Sequence, residues 1–185
     1  MGVKDWFQGR EQGPQPAQAE HRDPEGDFTL PATLASWTAP EPIHHHGHGG
    51  GVSRGYHNSY GFEATVFVYT AGVQSIADGA RSREVRSHFD ATCVDILNKW
   101  DVVAPFDPPM GSYRTLTNGW EWLYTRCELI MNGVHQTSWL YLTGWSARFV
   151  KVRHTYLLEF DDVAHGPITH LVQGLTTLMT DQRRG

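Results

Sequence analysis

The sequence predicts an α+β fold in which two amphipathic helices pack on an antiparallel sheet. Asn132-Gly133 lies between two long runs of apolar residues, which is the strongest short-range signal for a β-hairpin. Apolar residues also recur at helical spacing over about 82–100 and again after Gly166-Pro167. The predicted order of elements is therefore β-β-β-α-β-β-β-α.

Three strands are predicted before the first helix. Phe28-Thr-Leu-Pro is short because Pro31 ends it, a second strand spans 55–60, and a third spans 62–69 with alternating apolar residues. Residues 1–26 are rich in Gln, Pro, Glu and Gly and hold too little apolar surface to fold, so we expect a disordered N-terminal arm. A single α+β domain is accordingly predicted over 27–182.

The two helices have recognisable first turns. Ser82 is predicted to cap the first helix, which ends near Trp100. Pro167 suits the first turn of the second helix, because its fixed φ is helical and its missing N–H has no partner there. Each helix carries one apolar stripe, which is expected to face the sheet.

The three strands between the helices carry two different faces. A type I′ turn at Asn132-Gly133 places Leu123 opposite Leu142, on an aliphatic face to which the next strand is expected to add Val150 and Val152. The other face is aromatic, with Trp122, Tyr124, Trp139 and Tyr141. Either the second helix covers these four residues, or they form a binding surface for a partner.

A His- and Gly-rich segment over 43–54 is predicted to be a loop. It contains His44, His45, His46 and His48. Neutral imidazoles bind zinc and nickel, so these four residues are a candidate metal site. The alternative is a solvated loop, since the glycines around them predict few ordered partners to orient the ligands.

Charge and composition narrow the classes of function. The net charge of −5 and the scattered Lys and Arg residues do not suggest nucleic-acid binding. No apolar run approaches the roughly 18 residues of a membrane helix, and the start of the chain lacks the apolar core of a secretory signal, so a cytoplasmic location is expected. No nucleophile elbow, phosphate-binding glycine loop or Cys-x-x-Cys motif is present.

Three segments carry a resemblance to a known superfamily. They are Phe28-Thr29-Leu30-Pro31 followed by Trp37, the strand 64–69, and the strand end 149–153. Over residues 27–182 the chain resembles the PsbP-like and DcrB-like α/β/α proteins. That resemblance implies a binding or assembly module, as in periplasmic lipoproteins and in cytoplasmic chaperones of type VI secretion effectors, and it implies no catalytic residues.

The leading hypothesis is a non-enzymatic binding or assembly module, chaperone-like, that requires no cofactor and contacts a protein partner or a second copy of itself. Two alternatives stay open. One is metal binding, of zinc or nickel, by the His-rich segment. The other is an enzyme whose site the sequence does not reveal, and it rests only on the number of His and acidic residues.

Overall fold

The computed structural model describes residues 28–104, 106–116 and 118–183, and within them ten strands form one sheet that carries two α-helices. The first five strands are β1 (Thr33–Leu34), β2 (Trp37–Thr38), β3 (Ile43–His45), β4 (Gly51–His57) and β5 (Glu63–Tyr69). Helix α1 (Arg83–Lys99) follows. The remaining strands are β6 (Asp101–Ala104), β7 (Ser112–Thr115), β8 (Glu121–Met131), β9 (Val134–Trp145) and β10 (Arg148–Leu157), and helix α2 (Asp161–Gln182) ends the fold.

The sheet is antiparallel, and its order is β1-β2-β4-β5-β10-β9-β8-β6. Strand β3 pairs with β4, and β7 pairs with β8. The α+β class predicted from the sequence is thus confirmed. The element order differs from the prediction, because five short strands of two to four residues flank the longer ones and are too short to have a recognisable period.

The early strands also differ in position. Phe28-Thr-Leu-Pro is not a strand, and the strand predicted over 55–60 runs instead from Gly51 to His57. The third predicted strand is present as β5. The predicted disordered arm, residues 1–26, lies outside the described residues.

The β8–β9 hairpin has the predicted turn and register. Asn132 and Gly133 have φ values of 55° and 77°, as a type I′ turn requires. Leu123 pairs with Leu142, and Tyr124 pairs with Tyr141. Local turn chemistry is therefore sufficient to align this pair of strands.

Each face of the sheet has its own core. Leu123, Cys127 and Leu140 pack beneath α1 on the aliphatic face, whereas the aromatic face packs beneath α2. The assignment of Val150 and Val152 to the aliphatic face is wrong, because both lie in the core under α2. The sequence predicts the β9–β10 turn around Gly144-Trp145-Ser146, but Ser146 and Ala147 form it. The changed register moves the β10 side chains to the opposite face.

The first helix matches its prediction, and the second begins earlier. Ser82 Oγ accepts a hydrogen bond from the Val85 N–H at 3.1 Å and caps α1. Helix α2 begins at Asp161, and Pro167 lies inside it. Asp161 and Asp162 favour this longer helix because their carboxylates complement the positive end of the helix dipole. The added turns bring Val163 next to the end of β10, where a groove opens.

Candidate functional site

The predicted aromatic surface is largely core. Trp122 is 0% exposed and Tyr141 is 1% exposed, and both pack beneath α2. The indole Nε1 of Trp122 donates to Thr176 Oγ1 on α2 at 3.0 Å. Trp139 is 8% exposed, and Tyr124 is half-buried with its ring stacked against Trp139. Trp122, Trp139 and Tyr141 are thus buried in the core under α2, whereas Tyr124 is only half-buried. Ligand binding by these four residues stays a prediction.

The His-rich segment is a β-hairpin, so its prediction as a loop is wrong. Strand β3 pairs with β4, and consecutive residues His44 and His45 therefore lie on opposite faces. His45 Nε2 lies 2.8 Å from Ser53 Oγ. Gly49, Gly50 and Gly51 are closely packed, since a Cβ at Gly51 would clash with the Val68 carbonyl oxygen, whereas Gly47 has open space around it.

The hairpin does not gather its four histidines into one site. His48 lies beside Gly72, whereas His45 lies beside Ser53. Among residues 28–104, 106–116 and 118–183, no three His, Cys, Asp or Glu side chains are grouped so that they could hold a metal ion. Metal binding by His44, His45, His46 and His48 stays a prediction.

A groove of about 770 Å³ lies between the β4–β5 turn, the end of β10 and the start of α2. It is lined by Tyr60, Gly61, Phe62, Glu63, Gln136, Thr155, Tyr156, Leu157, Phe160, Val163 and Pro167. Four of the apolar residues remain strongly exposed: Tyr60 77%, Val163 59%, Phe160 41% and Leu157 37%. We call this feature the β10–α2 groove.

The β4–β5 turn holds one wall of the groove in place. The side-chain oxygen of Asn58 accepts hydrogen bonds from the N–H groups of Tyr60 and Phe62, at 3.0 and 3.1 Å. Asn side chains commonly organise turns in this way. Phe62 is only 8% exposed, so its ring belongs to the floor, whereas Tyr60 stands at the rim.

A polar network fixes the opposite wall. Trp139 Nε1 donates to the Tyr156 hydroxyl at 2.9 Å, and that hydroxyl donates to Asp161 Oδ1 at 2.8 Å. Arg126 Nη2 donates to both Asp161 Oδ2 and Glu128 Oε1, at 2.9 and 3.0 Å. Burial opposes ionisation of Asp161, but the Tyr156 hydrogen bond and the Arg126 charge outweigh it and hold the pKa of Asp161 below its usual value. The network therefore ties β8, β10 and α2 together beside the groove.

His154 lies directly behind the groove floor. It is 0% exposed, and its ring packs at 5.8 Å from Phe62 and 4.8 Å from Tyr156, between centroids. Its Nδ1 lies 2.6 Å from the Glu63 carbonyl oxygen, which can only accept, so Nδ1 carries the proton. Nε2 is buried with no hydrogen-bond partner. Burial lowers the pKa of His154 to about 4, which keeps the imidazole neutral.

A second polar cluster lies on the α1 face of the sheet. The Tyr69 hydroxyl and His88 Nε2 are 2.6 Å apart, and burial lowers the pKa of His88 to about 4. Lys151 is 6% exposed, and burial, reinforced by the charge of Arg153, lowers its pKa to about 7. Because His88 is neutral, its Nε2 can accept a hydrogen bond from the Tyr69 hydroxyl, and this bond joins α1 to the sheet. The enzyme hypothesis stays a prediction.

Sequence reasoning missed the β10–α2 groove because its residues belong to three separate segments. Tyr60 was assigned to a strand. The second helix was predicted to start later than it does, so Phe160 and Val163 were assigned to no element. The one available signal was the pair Asp161-Asp162, which is as typical of a helix N-terminus as of a turn.

No protein-family model, curated protein or solved structure matches this chain. The resemblance to the PsbP-like and DcrB-like superfamily thus stays a prediction. Within the described ranges, neither α1 nor α2 combines the length and the apolar character that a membrane-crossing helix needs.

Proposed function

We propose that this protein is a non-enzymatic binding module and that its ligand is a small apolar molecule held in the β10–α2 groove. One observation carries the proposal: four large apolar residues that line the same groove are 37–77% exposed. Contiguous exposed apolar surface of this kind is costly in water and is typical of a binding site.

The size and lining of the groove suit a small organic ligand. Small-molecule sites usually have volumes of about 300–1,000 Å³ and combine mostly apolar walls with a few polar groups. This groove has a volume of about 770 Å³, and the polar residues among those that line it include Glu63, Gln136 and Thr155. These few groups would orient a ligand, while the rings provide most of the contact area.

The walls are also preorganised. Asn58 fixes the turn that carries Tyr60 and Phe62, and the Tyr156–Asp161–Arg126 network fixes the opposite side. A ligand that enters a fixed site loses less free energy to the ordering of side chains. The exposed residues at the rim can therefore contact a ligand with little loss of free energy from ordering the protein.

We expect Val163→Asp to weaken binding of N-phenyl-1-naphthylamine, an uncharged fluorescent probe, by roughly tenfold, since a carboxylate in an apolar site must be desolvated. Val163 is 59% exposed and lies in the first turn of α2, where an Asp side chain is compatible with the helix. The measurement is a fluorescence titration of the folded protein, with circular dichroism as a check on folding.

Val94→Asp is the matched control for this titration. Val94 is also an exposed valine on a helix, at 49%, but it lies on α1 and outside the groove. The control should bind the probe as the wild type does. Equal loss of binding in both variants, or no loss in either, would rule out the groove as the site of the probe.

A further inference from the structure

We infer that the Arg114 guanidinium, where strand β7 meets α2, binds the carboxylate of a small aromatic ligand. This second site goes beyond the proposed function, because neither Arg114 nor its neighbour His165 is among the residues that line the β10–α2 groove. Two features carry the inference. Neutral groups hold the guanidinium in place, and the edge of it that matches a carboxylate has no partner among the described residues.

Two neutral side chains position Arg114. Its Nη1 donates to the Tyr141 hydroxyl at 3.4 Å and lies 3.2 Å from His165 Nε2. A guanidinium can only donate, so His165 Nε2 accepts this hydrogen bond and the ring proton is on Nδ1. Burial and the Arg114 charge lower the pKa of His165 against the opposite effect of Asp161, which favours the neutral imidazole. The charge of the half-buried Arg114 is thus fixed in position by groups that do not neutralise it.

The second edge of a guanidinium, formed by Nε and Nη2, is the part that binds carboxylates in this protein. Arg81 contacts Glu121 through these two nitrogens, each at 2.6 Å, and Arg126 contacts Asp161 through the same pair at 3.3 and 2.9 Å. In Arg114, neither Nε nor Nη2 contacts a side chain or a carbonyl group in the part of the chain that the structure describes. Neither atom is buried without a partner, so both are accessible to solvent. A ligand carboxylate can form the same two parallel hydrogen bonds there.

The neighbouring carboxylate is already paired with another arginine. Asp161 acts on the charge state of His165, but its oxygens accept hydrogen bonds from Arg126 and from the Tyr156 hydroxyl. Over residues 28–104, 106–116 and 118–183, no carboxylate forms an ion pair with Arg114. An anion that binds Arg114 therefore gains an ion pair without displacing an existing one.

The rings beside Arg114 indicate the other half of the ligand. The Tyr141 ring, whose hydroxyl contacts Arg114, lies 5.9 Å from the Tyr124 ring at an interplanar angle of 17°. Tyr124 is the least buried of the four aromatic residues that the sequence singled out as a binding surface. A flat ring attached to the carboxylate can pack against the accessible part of Tyr124, because aromatic rings favour offset-stacked contacts. The ligand class is therefore an aryl carboxylate.

The test compares benzoate with benzamide, which have the same shape but differ in charge. We expect the wild-type protein to bind benzoate roughly 3- to 30-fold more tightly in an NMR titration, since hydrogen bonds to an ionised acceptor are stronger than those to a neutral one. Arg114→Gln should abolish this preference, and Arg114→Lys, which keeps the charge without the fork, should reduce it. Tyr124→Leu should weaken both ligands.

Arg83→Gln is the matched control, at an exposed position on α1, and should keep the preference for benzoate. Circular dichroism establishes that each variant is folded. Equal affinity of the wild type for the two ligands, or binding of neither, would overturn the assignment. A preference that survives Arg114→Gln, or that Arg83→Gln also removes, would overturn it as well.

Two further measurements separate this site from the β10–α2 groove. Val163→Asp should leave the preference for benzoate unchanged, and Arg114→Gln should leave the affinity for N-phenyl-1-naphthylamine unchanged. Loss of benzoate binding in Val163→Asp would place that ligand in the groove and overturn the Arg114 site. Failure of the naphthylamine titration, with the benzoate preference intact, would contradict the proposed function alone.

Discussion

Replacing Trp122 with Ala is expected to lower the free energy of unfolding by about 3–5 kcal/mol, the range for removal of a fully buried large aromatic side chain. Trp122 is 0% exposed, and it joins the sheet to α2 through the hydrogen bond from Nε1 to Thr176 Oγ1. The substitution both opens a cavity between the two layers and leaves the Thr176 hydroxyl without its donor. Urea unfolding, followed by circular dichroism, measures the loss.

Trp120→Ala is the control for this experiment. Trp120 lies two residues away and also donates from Nε1 to a threonine hydroxyl, that of Thr143, at 3.0 Å, but it is only half-buried. We expect a smaller loss, of about 1–2 kcal/mol. If the two variants lose equal stability, Trp122 is not the anchor of α2 that its burial indicates.

Acidification is expected to destabilise the protein by about 3 kcal/mol between pH 6.5 and pH 4 through His154 alone. Burial lowers the pKa of His154 to about 4, whereas an unfolded histidine has a pKa near 6.5. The unfolded chain therefore binds a proton in this window that the folded protein does not bind. The stability is fully present above pH 6.5 and is lost as the pH falls towards 4. The lowered pKa of His88 acts in the same direction.

His154→Gln tests this linkage, because glutamine can still donate a hydrogen bond but does not titrate. The variant should show a smaller loss of stability between pH 7 and pH 4 than the wild type, by about 3 kcal/mol. His135→Gln, at an exposed position on β9, provides the comparison and should follow the wild type. Identical pH dependence in the two variants would contradict a neutral, buried His154.

The sequence correctly predicted the parts of the fold that are marked by a local signal, such as a turn sequence, a helix cap or a helical spacing of apolar residues. Asn132-Gly133 determines the turn, and the turn determines the β8–β9 register over nine residue pairs. Ser82 marks the start of α1, whose buried residues recur at helical spacing. These signals depend only on residues that are close together in the sequence, so they can be recognised from one sequence alone.

The parts that were not predicted depend on contacts distant in sequence. The glycines over 49–51 indicated a loop, yet their small size is what allows the chain to pack against residues 68–72. Val150 and Val152 lie on the face opposite to the predicted one, because Ser146 and Ala147 form the β9–β10 turn instead of the predicted turn around Gly144-Trp145-Ser146. In the groove, the pairing of His154 with Ala64 brings the β4–β5 turn beside α2, and no local pattern encodes that pairing.

The most direct test of the account is to map where a small ligand binds. Uniformly ¹⁵N-labelled protein is titrated with 3-tert-butylphenol, and the amide chemical shifts are followed to saturation. We predict that the largest changes occur at Gly61, Glu63, Leu157 and Val163, which line the groove on both sides. Largest changes at the β3–β4 hairpin or around Tyr124, with the groove amides unmoved, would contradict the assignment of the β10–α2 groove as the binding site.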